Sequence, residues 1–456
     1  MKNDSKLSRR NFLKCSAVGA LGSAVSVPAI LTSCSSEGSK TKGPVIDVEV
    51  LEFIDKAPAG KALKAGLIGC GGRGTGAAIN FLDAADDVHI VALGDVFDDK
   101  LQACREQLKK EKGVEIDDAN CFVGFDAYKQ VIDLDLDIVL LCAPPYFRPQ
   151  HFEYAVEKGR HCFLEKPCAV DPVGARQMMI TSKKAEAKRL SVINGTVRRN
   201  QKDVNATLQQ VKNGAIGQIV SGHTVRHGGS LWTKARQPGW SDMEYMLHNW
   251  PNFTWLSADM ITENFIHEVD LLNLFMGDKR PEKCSAVGGR ARRKTGDVYD
   301  YFSMEFTYEG GIRAACTSRQ IDGCDNEHRV TVYGTEGYTD CFCTIYNLDG
   351  TVKWEYQYPD GQKGDGWKGL GEGYVLEHVR LITAIRADNP VNDTEKHVQS
   401  TLMTIMAREA GYTGKILNYD EFRESTLKLG PEVLAMGPVN PPIPEEIKLP
   451  GKESAK

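Results

Sequence analysis

The chain has 456 residues, with 56 Lys and Arg against 61 Asp and Glu, a net charge of -5, 41% hydrophobic and 26% charged residues. That length predicts two globular domains. The slight acidity, with no basic block beyond the N-terminus, excludes a nucleic-acid partner held through its phosphates.

The first 40 residues read as an address rather than as fold. Ser8-Arg9-Arg10-Asn11-Phe12-Leu13-Lys14 matches the twin-arginine export pattern, and no charged residue follows until Glu37. Leu31-Thr32-Ser33-Cys34 resembles a lipobox, in which Cys34 would be acylated, and Ser35 to Gly43 would form a flexible tether. Gly19, Gly22, Pro28 and several serines leave the stretch too weakly apolar for a permanent transmembrane helix. The expected location is the periplasm, with membrane contact only through a lipid on Cys34 and with outer-membrane sorting compatible with Ser35. Of 13 cysteines, Cys15 and Cys34 lie in the leader, leaving an odd number. Cys70, Cys142 and Cys162 fall in predicted strands or turns and read as buried thiols rather than a disulfide framework.

Ala65 to Ile68 is a short apolar run that leads directly into Gly69-Cys70-Gly71-Gly72-Arg73-Gly74. Gly69, Gly71 and Gly74 stand in G-x-G-x-x-G spacing, and Ala77, Ala78, Ile79, Phe81 and Leu82 recur at helical intervals. A strand turning into a helix start offers unpaired N–H groups to a diphosphate, and glycines let it approach the chain. In a chain with 44 glycines that spacing needs a second sign. Asp95 supplies it about 20 residues further on, at the end of the apolar run Val88 to Leu93, where a carboxylate accepts ribose hydroxyls. Otherwise Asp95 caps the helix beginning near Asp98. Val96 and Phe97 bring no arginine for a 2′-phosphate, so NAD is expected over NADP.

A helix from about Asp98 to Lys110 follows, then a buried strand at Ile138 to Cys142 stopped by Ala143-Pro144-Pro145. A helix through His151 and Tyr154 leads to the strand Cys162 to Leu164, and a helix from Pro172 to Lys188 leads to the strand Leu190 to Ile193. Alternating strands and helices predict an α/β Rossmann domain with a parallel sheet over residues 62–195, binding its ligand at the carboxyl ends of the strands. Glu165-Lys166-Pro167 lies at such an end. Lys166 would sit beside the nicotinamide, where an ammonium can hydrogen-bond a substrate hydroxyl and stabilise alkoxide charge; the alternative is a solvated lysine before a proline turn.

Residues 196–425 change pattern. Val220 to Val225, Ser285 to Gly288, Tyr301 to Phe306, Ile312 to Thr317 and Arg329 to Tyr333 predict an α+β domain with an open-faced, mostly antiparallel sheet. Helices over Tyr374 to Ala387 and Glu395 to Tyr412 are expected to pack back on the first domain. Residues 426–456, with five prolines from Pro438 onward, read as a C-terminal arm, extended or disordered. Cys341 and Cys343 read as strand residues. His223 and His227 begin in a strand, too far apart to share an ion, so no metal is expected.

Two segments of this half carry chemistry. Trp232 to Trp255 holds four of the six tryptophans among Arg236, His248 and Asn249. It predicts a loop-rich aromatic wall, suited to a sugar ring or to packing between subunits. Ile261 to Asp270 as one helix puts Glu263, His267 and Asp270 on a common face. A histidine near a carboxylate is suited to taking a hydroxyl proton, although the stripe equally suits the wet side of an amphipathic helix.

These segments carry a family resemblance. GLIGCGGRG at 66–74, LGD at 93–95, CAPP at 142–145, GRHCFLEKP at 159–167, GAIGQI at 214–219, ENFIHEVDLLN at 263–273 and AREAGYTGK at 407–415 are similar to the Gfo/Idh/MocA family, over about residues 62–425. The resemblance implies NAD(P) between the two domains, a small sugar or cyclitol as substrate, and homo-oligomers formed through the open sheet face. Lys166 matches the family's catalytic lysine and His267 its catalytic histidine. Glu263 stands where members commonly carry aspartate, and Arg148 where many carry histidine. Gly69, Gly71, Gly72, Arg73, Gly74, Asp95, Ala143, Pro144, Glu165 and Lys166 take the cofactor-binding positions.

The expected function is oxidation or reduction of a ring hydroxyl in a sugar, glycoside or cyclitol by a tightly held NAD, since a periplasm supplies none. The alternatives are an NAD-dependent glycosidase acting by transient oxidation and elimination, and a non-catalytic lipoprotein that binds a carbohydrate or NAD.

Overall fold

A computed structural model describes residues 46–362, 364, 367–439 and 447–451. The expected export leader, with Arg9, Arg10 and Cys34, lies outside the described residues.

The first sheet alternates with helices throughout. Its strands are Leu63–Ile68 (β1), Val88–Asp95 (β2), Cys121–Val123 (β3), Ile138–Leu141 (β4), His161–Leu164 (β5) and Val192–Asn194 (β6). Between them run Gly72–Ala84 (α1), Asp98–Lys112 (α2), Ala127–Asp133 (α3), Arg148–Glu157 (α4) and Pro172–Ala187 (α5). All pairs are parallel and the order is β3-β2-β1-β4-β5-β6, so the winding reverses between β1 and β4 and opens a crevice at their carboxyl ends. The Val, Ile and Leu residues of β4 are buried on both faces, as a central parallel strand requires.

After Lys202–Lys212 (α6) comes the long strand Ile219–Gly228 (β7), then the short helices Asp242–His248 (α7), Thr254–Ser257 (α8) and Met260–Glu263 (α9), and Ile266–Phe275 (α10). Strands Lys283–Gly289 (β8), Tyr301–Thr307 (β9), Arg313–Gln320 (β10), Glu327–Gly334 (β11), Tyr338–Thr339 (β12), Thr344–Tyr346 (β13) and Val352–Glu355 (β14) follow. Leu370–Arg386 (α11), Thr394–Thr413 (α12), Leu417–Asn418 (β15) and Tyr419–Arg423 (α13) close the order. The second sheet runs β14-β13-β12-β11-β7-β10-β9-β8-β15, antiparallel except where β7 pairs with β10. Helices α10 and α12 cover one face. The strict alternation of buried and exposed residues along β9 and β10 leaves Tyr301, Ser303, Arg313 and Ala315 on an open face.

Helix α11 lies beyond residue 195 yet completes the core of the first sheet. Its Leu376, Val379, Leu381 and Ile382 join Phe81, Leu101 and Leu140, while α3, α4 and α5 cover the opposite side.

Two local expectations are corrected. The continuous helix over Ile261 to Asp270 is broken between α9 and α10, because Phe265 N–H reaches back five residues to the Met260 carbonyl (3.2 Å) and Asn264 turns its amide oxygen to Arg226 (3.0 Å). Helical spacing therefore no longer relates Glu263 to His267. Cys341 and Cys343 are not in strands: Asp340 Oδ1 accepts the N–H groups of Phe342, Cys343 and Thr344, each at 2.9 Å, and folds the chain into a bend between β12 and β13. Cys70 and Cys162 are buried free thiols and Cys142 is partly buried. Within the arm, Leu434 and Val439 pack against the apolar cluster around Met243 and Phe147.

Candidate active site

At the end of β1 the glycines divide into two kinds. Gly69 has φ +96, and a Cβ there would lie 2.5 Å from Ala143 N; a Cβ on Gly74 would lie 1.8 Å from Gly69 O. These two let the turn fold at all. A Cβ on Gly71 or Gly72 would meet no atom of the protein within 4 Å, because both border a cleft. Helix α1 starts there with no side-chain cap and no acidic residue in its first turn, so its positive end is free for an anion. The turn fits a dinucleotide phosphate.

Asp95 closes the turn from β2. Its Oδ2 accepts Cys70 N–H (2.7 Å) and its Oδ1 accepts Phe97 N–H (2.9 Å), and burial raises its pKa above the usual carboxylate value. It does not cap α2, whose first turn receives no side-chain cap. From β5, Glu165 sits 2.8 Å from Arg73 Nε, and the Arg73 guanidinium stacks 4.4 Å from the Tyr374 ring of α11. Arg73 thus fastens the glycine turn to the end of β5 while bordering the cleft.

Arg148 is buried and acts as a brace. Its Nη2 donates to Ala143 O (2.5 Å), its Nη1 to Pro167 O and its Nε to Leu141 O (3.4 Å), tying the ends of β4 and β5 together. Burial among carbonyls pulls its pKa below that of a free guanidinium. The neighbouring His151 stacks on Tyr128 (4.1 Å) and is held neutral by burial, its pKa pushed down to about 3.

The cleft between the two sheets encloses about 550 Å³. Gly69, Gly71, Gly72, Arg73, Gly74, Asp95, Ala143, Pro144, Glu165 and Lys166 all line it, together with Glu263 from the second domain. Lys166 is not a solvated lysine: its side chain is 13% exposed, its Nζ donates to the Glu263 carbonyl and lies 3.5 Å from Glu263 Oε1. His267 lies apart from this cleft, in a smaller recess that it shares with Lys166, Thr196, Arg198 and Asp270. Lys166 borders both spaces. Burial first, then the positive charges of Lys166, Arg226 and Arg198, hold the His267 pKa well below its usual 6.5. The imidazole is therefore neutral at pH 7 and can accept a proton.

Asp270 belongs to the scaffold. It meets Arg199 Nε at 2.9 Å and Ser400 Oγ at 2.7 Å, with Asp278 on the far side of the same guanidinium. The buried charge that the sequence did not announce is Glu268, next in the chain to His267, 1% exposed, 2.8 Å from Arg226 of β7 and 2.7 Å from His328 of β11. Those partners lie far along the chain, and no local pattern joins them.

The aromatic segment folds as a wall rather than one helix, irregular as far as Ser241 and then α7, a turn and α8. Its Trp232, Lys234, Leu247, His248 and Trp250 line the same cleft as Asp95 and Phe97. Among the described residues, no group of three or more His, Cys, Asp or Glu could hold a metal ion, and no helix is long and apolar enough to cross a membrane.

Comparison with known proteins agrees with this geometry. Residues 63–193 match the model of an oxidoreductase family with an NAD-binding Rossmann fold, and residues 204–339 match the GFO/IDH/MocA C-terminal domain. Together the two take in more than half of the chain. A myo-inositol 2-dehydrogenase of Thermotoga maritima is 24% identical over 278 residues, 60% of this chain and 74% of that one. A glycosyl hydrolase family 109 protein of Shewanella pealeana is 28% identical over 229 residues, 48% of this chain and less than half (46%) of that one. The crystal structure of apo scyllo-inositol dehydrogenase from Lactobacillus casei superposes with a TM-score of 0.59 at 19% identity, over 80% of this chain and all of that one, a likeness of fold.

Proposed function

Because this chain belongs to the Gfo/Idh/MocA oxidoreductases and carries their NAD-binding Rossmann domain, we propose that it oxidises, reversibly, a ring hydroxyl of a sugar, glycoside or cyclitol. The observation that carries this reading is Lys166. It borders the glycine-lined cleft on one side and, on the other, the recess of a neutral His267.

The chain's own residues divide the work. His267 takes the hydroxyl proton at an imidazole nitrogen, and the surrounding cations return that proton readily. Lys166 Nζ, steadied by the Glu263 carbonyl, hydrogen-bonds the substrate oxygen and stabilises negative charge as it develops. Glu263 holds the ammonium and offers its carboxylate to a neighbouring hydroxyl. Arg148 and the Arg73–Glu165 pair keep the ends of β4, β5 and the glycine turn in register. Gly71, Gly72 and Asp95 would hold the NAD, which when bound would supply the hydride acceptor.

The similarity to a glycosyl hydrolase favours a second reading, in which the same oxidation is transient, acidifies the neighbouring C–H and drives elimination of an aglycone. Product analysis separates the two: net hydrolysis with no net redox would exclude a simple dehydrogenase. The first experiment is to denature protein purified without added nucleotide and assay for NAD or NADH, then to screen sugars and cyclitols by absorbance of the reduced ring. Absence of nucleotide binding would overturn both readings. The same proposal places the protein in the periplasm, exported folded through Arg9-Arg10, anchored by a lipid on Cys34 and assembled with copies of itself through the open sheet face. Labelling with a palmitate analogue, lost in Cys34→Ala, tests the anchor.

A further inference from the structure

The cleft is lined on its Asp95 side by the second domain, and a ring stack joins that wall to the turn after β2. Trp232, Lys234, His248 and Trp250 share the lining with Asp95 and Phe97. The His248 ring lies between two others, stacked on Phe97 with centroids 4.0 Å apart and planes 9° apart, and on Trp240 at 4.2 Å and 21°. Phe97 is the residue whose N–H is held by Asp95, so the stack sits on the ribose-side turn itself.

The wall is braced from within. Asn249 accepts Lys234 N–H (2.7 Å) and returns its amide to Lys234 O (3.1 Å) and Tyr245 O (3.0 Å). Arg236 ties Asp242 (2.6 Å) to the Trp240 carbonyl (3.1 Å). Below, Met243, Met246 and Leu247 seat the wall on Phe147 in one apolar cluster, and at the cleft its contact with the turn after β2 is ring against ring. His248 is 9% exposed, and burial lowers its pKa, so the ring stacks as a neutral imidazole.

We propose that Trp232 to Trp250 forms the adenosine-side wall of the NAD site and that the Phe97–His248–Trp240 stack is its latch, setting how fast the nucleotide leaves rather than how fast the proton moves. The inference rests on NAD occupying this cleft. It gives a physical basis for a cofactor that stays with the protein where none is supplied from outside.

The test uses the full-length protein loaded with NADH and read by reduced-nicotinamide fluorescence as excess NAD displaces it, with no sugar present. Two ring contacts are lost in His248→Ala, and release should quicken about tenfold. His248→Phe keeps a flat ring between Phe97 and Trp240 and should release at close to the original rate. Far-ultraviolet dichroism and Tm identify a variant that merely unfolds, and Trp240→Ala, which removes one of the two ring contacts, then serves as the second probe, with release faster than in the parent. Release unchanged in folded His248→Ala, or equally fast in His248→Phe, overturns the latch. A protein that takes up no NADH at all overturns the NAD reading with it; one that holds NADH but turns over no sugar leaves the latch standing and overturns only the proposed reaction.

Discussion

The two domains that border the cleft keep their shape by different means. On the nucleotide side, side chains are missing: Gly69 and Gly74 bring backbone against backbone, and Gly71 and Gly72 leave room. On the substrate side, charges are buried in sets drawn from distant strands and helices, Glu268 with Arg226 and His328, and Asp270 with Arg199 and Ser400. A turn made of absences tolerates no addition, whereas a network of paired charges tolerates no deletion.

The largest effect expected from breaking this contrast comes at Gly74. Valine there drives a Cβ into the space of Gly69 O, so the turn must open, at a cost above about 3 kcal/mol. Calorimetry should find no NAD binding, and the Tm should fall. Gly71→Ala sharpens the comparison, since its Cβ meets no protein atom. The apoprotein Tm should hold while NAD binds about tenfold more weakly, about 1.4 kcal/mol. Equal loss of stability in both variants would mean that Gly71 does not face a ligand.

Next comes the chemistry on the opposite side. His267→Ala and Lys166→Ala should each lower kcat by about 10²–10⁴-fold, and His267→Ala, outside the glycine-lined cleft, should leave the NAD content of the purified protein unchanged. Unchanged turnover in either variant would remove that side chain from the catalytic step.

The same contrast explains what the sequence disclosed. Gly69 to Gly74, Asp95 and Lys166 are each fixed by their distance from the end of a strand, a local quantity, and the α/β order and the glycine turn were legible for that reason. Glu263 and His267 stood in one motif, but helical periodicity misjudged their relation because a reach-back bond from Phe265 to Met260 breaks the helix between them. Glu268 and Arg148 were opaque in another way. The meaning of a buried charge lies in its partners, and Arg226, His328 and the carbonyls of Ala143 and Pro167 are brought to them only by the fold. The aromatic wall was visible as composition, yet nothing in the chain said that His248 would slot against Phe97.

A smaller effect distinguishes the two sides by acid. On the nucleotide side, His378 is packed 4.3 Å from the Phe163 ring and 5.9 Å from the Phe81 ring, and burial pushes its pKa down to about 3. The unfolded chain protonates this ring below about pH 6.5, whereas the folded chain does so only near 3, so its contribution is complete above 6.5 and is lost progressively as pH falls through that window. The slope is about 1.4 kcal/mol per pH unit for each such histidine. Guanidinium unfolding at pH 7 and pH 5 should show His378→Leu less acid-sensitive than the parent; an unchanged difference would place the acid lability elsewhere.

The smallest effect probes the join between the two sides. The acid limb of kcat/KM reports the base of the free enzyme, and His267 should place it below the 6.5 of an ordinary histidine, because burial and then the Lys166 ammonium disfavour the imidazolium. Lys166→Met removes the second cause and leaves the first. In the residual activity of that variant the limb should therefore move to higher pH yet stay below 6.5, and at an acidic pH a larger share of the base is lost to protonation than in the parent. A limb that does not move would show that the ammonium and the imidazole do not feel each other. Lys166 would then serve the nucleotide cleft alone, and the proton would need another acceptor.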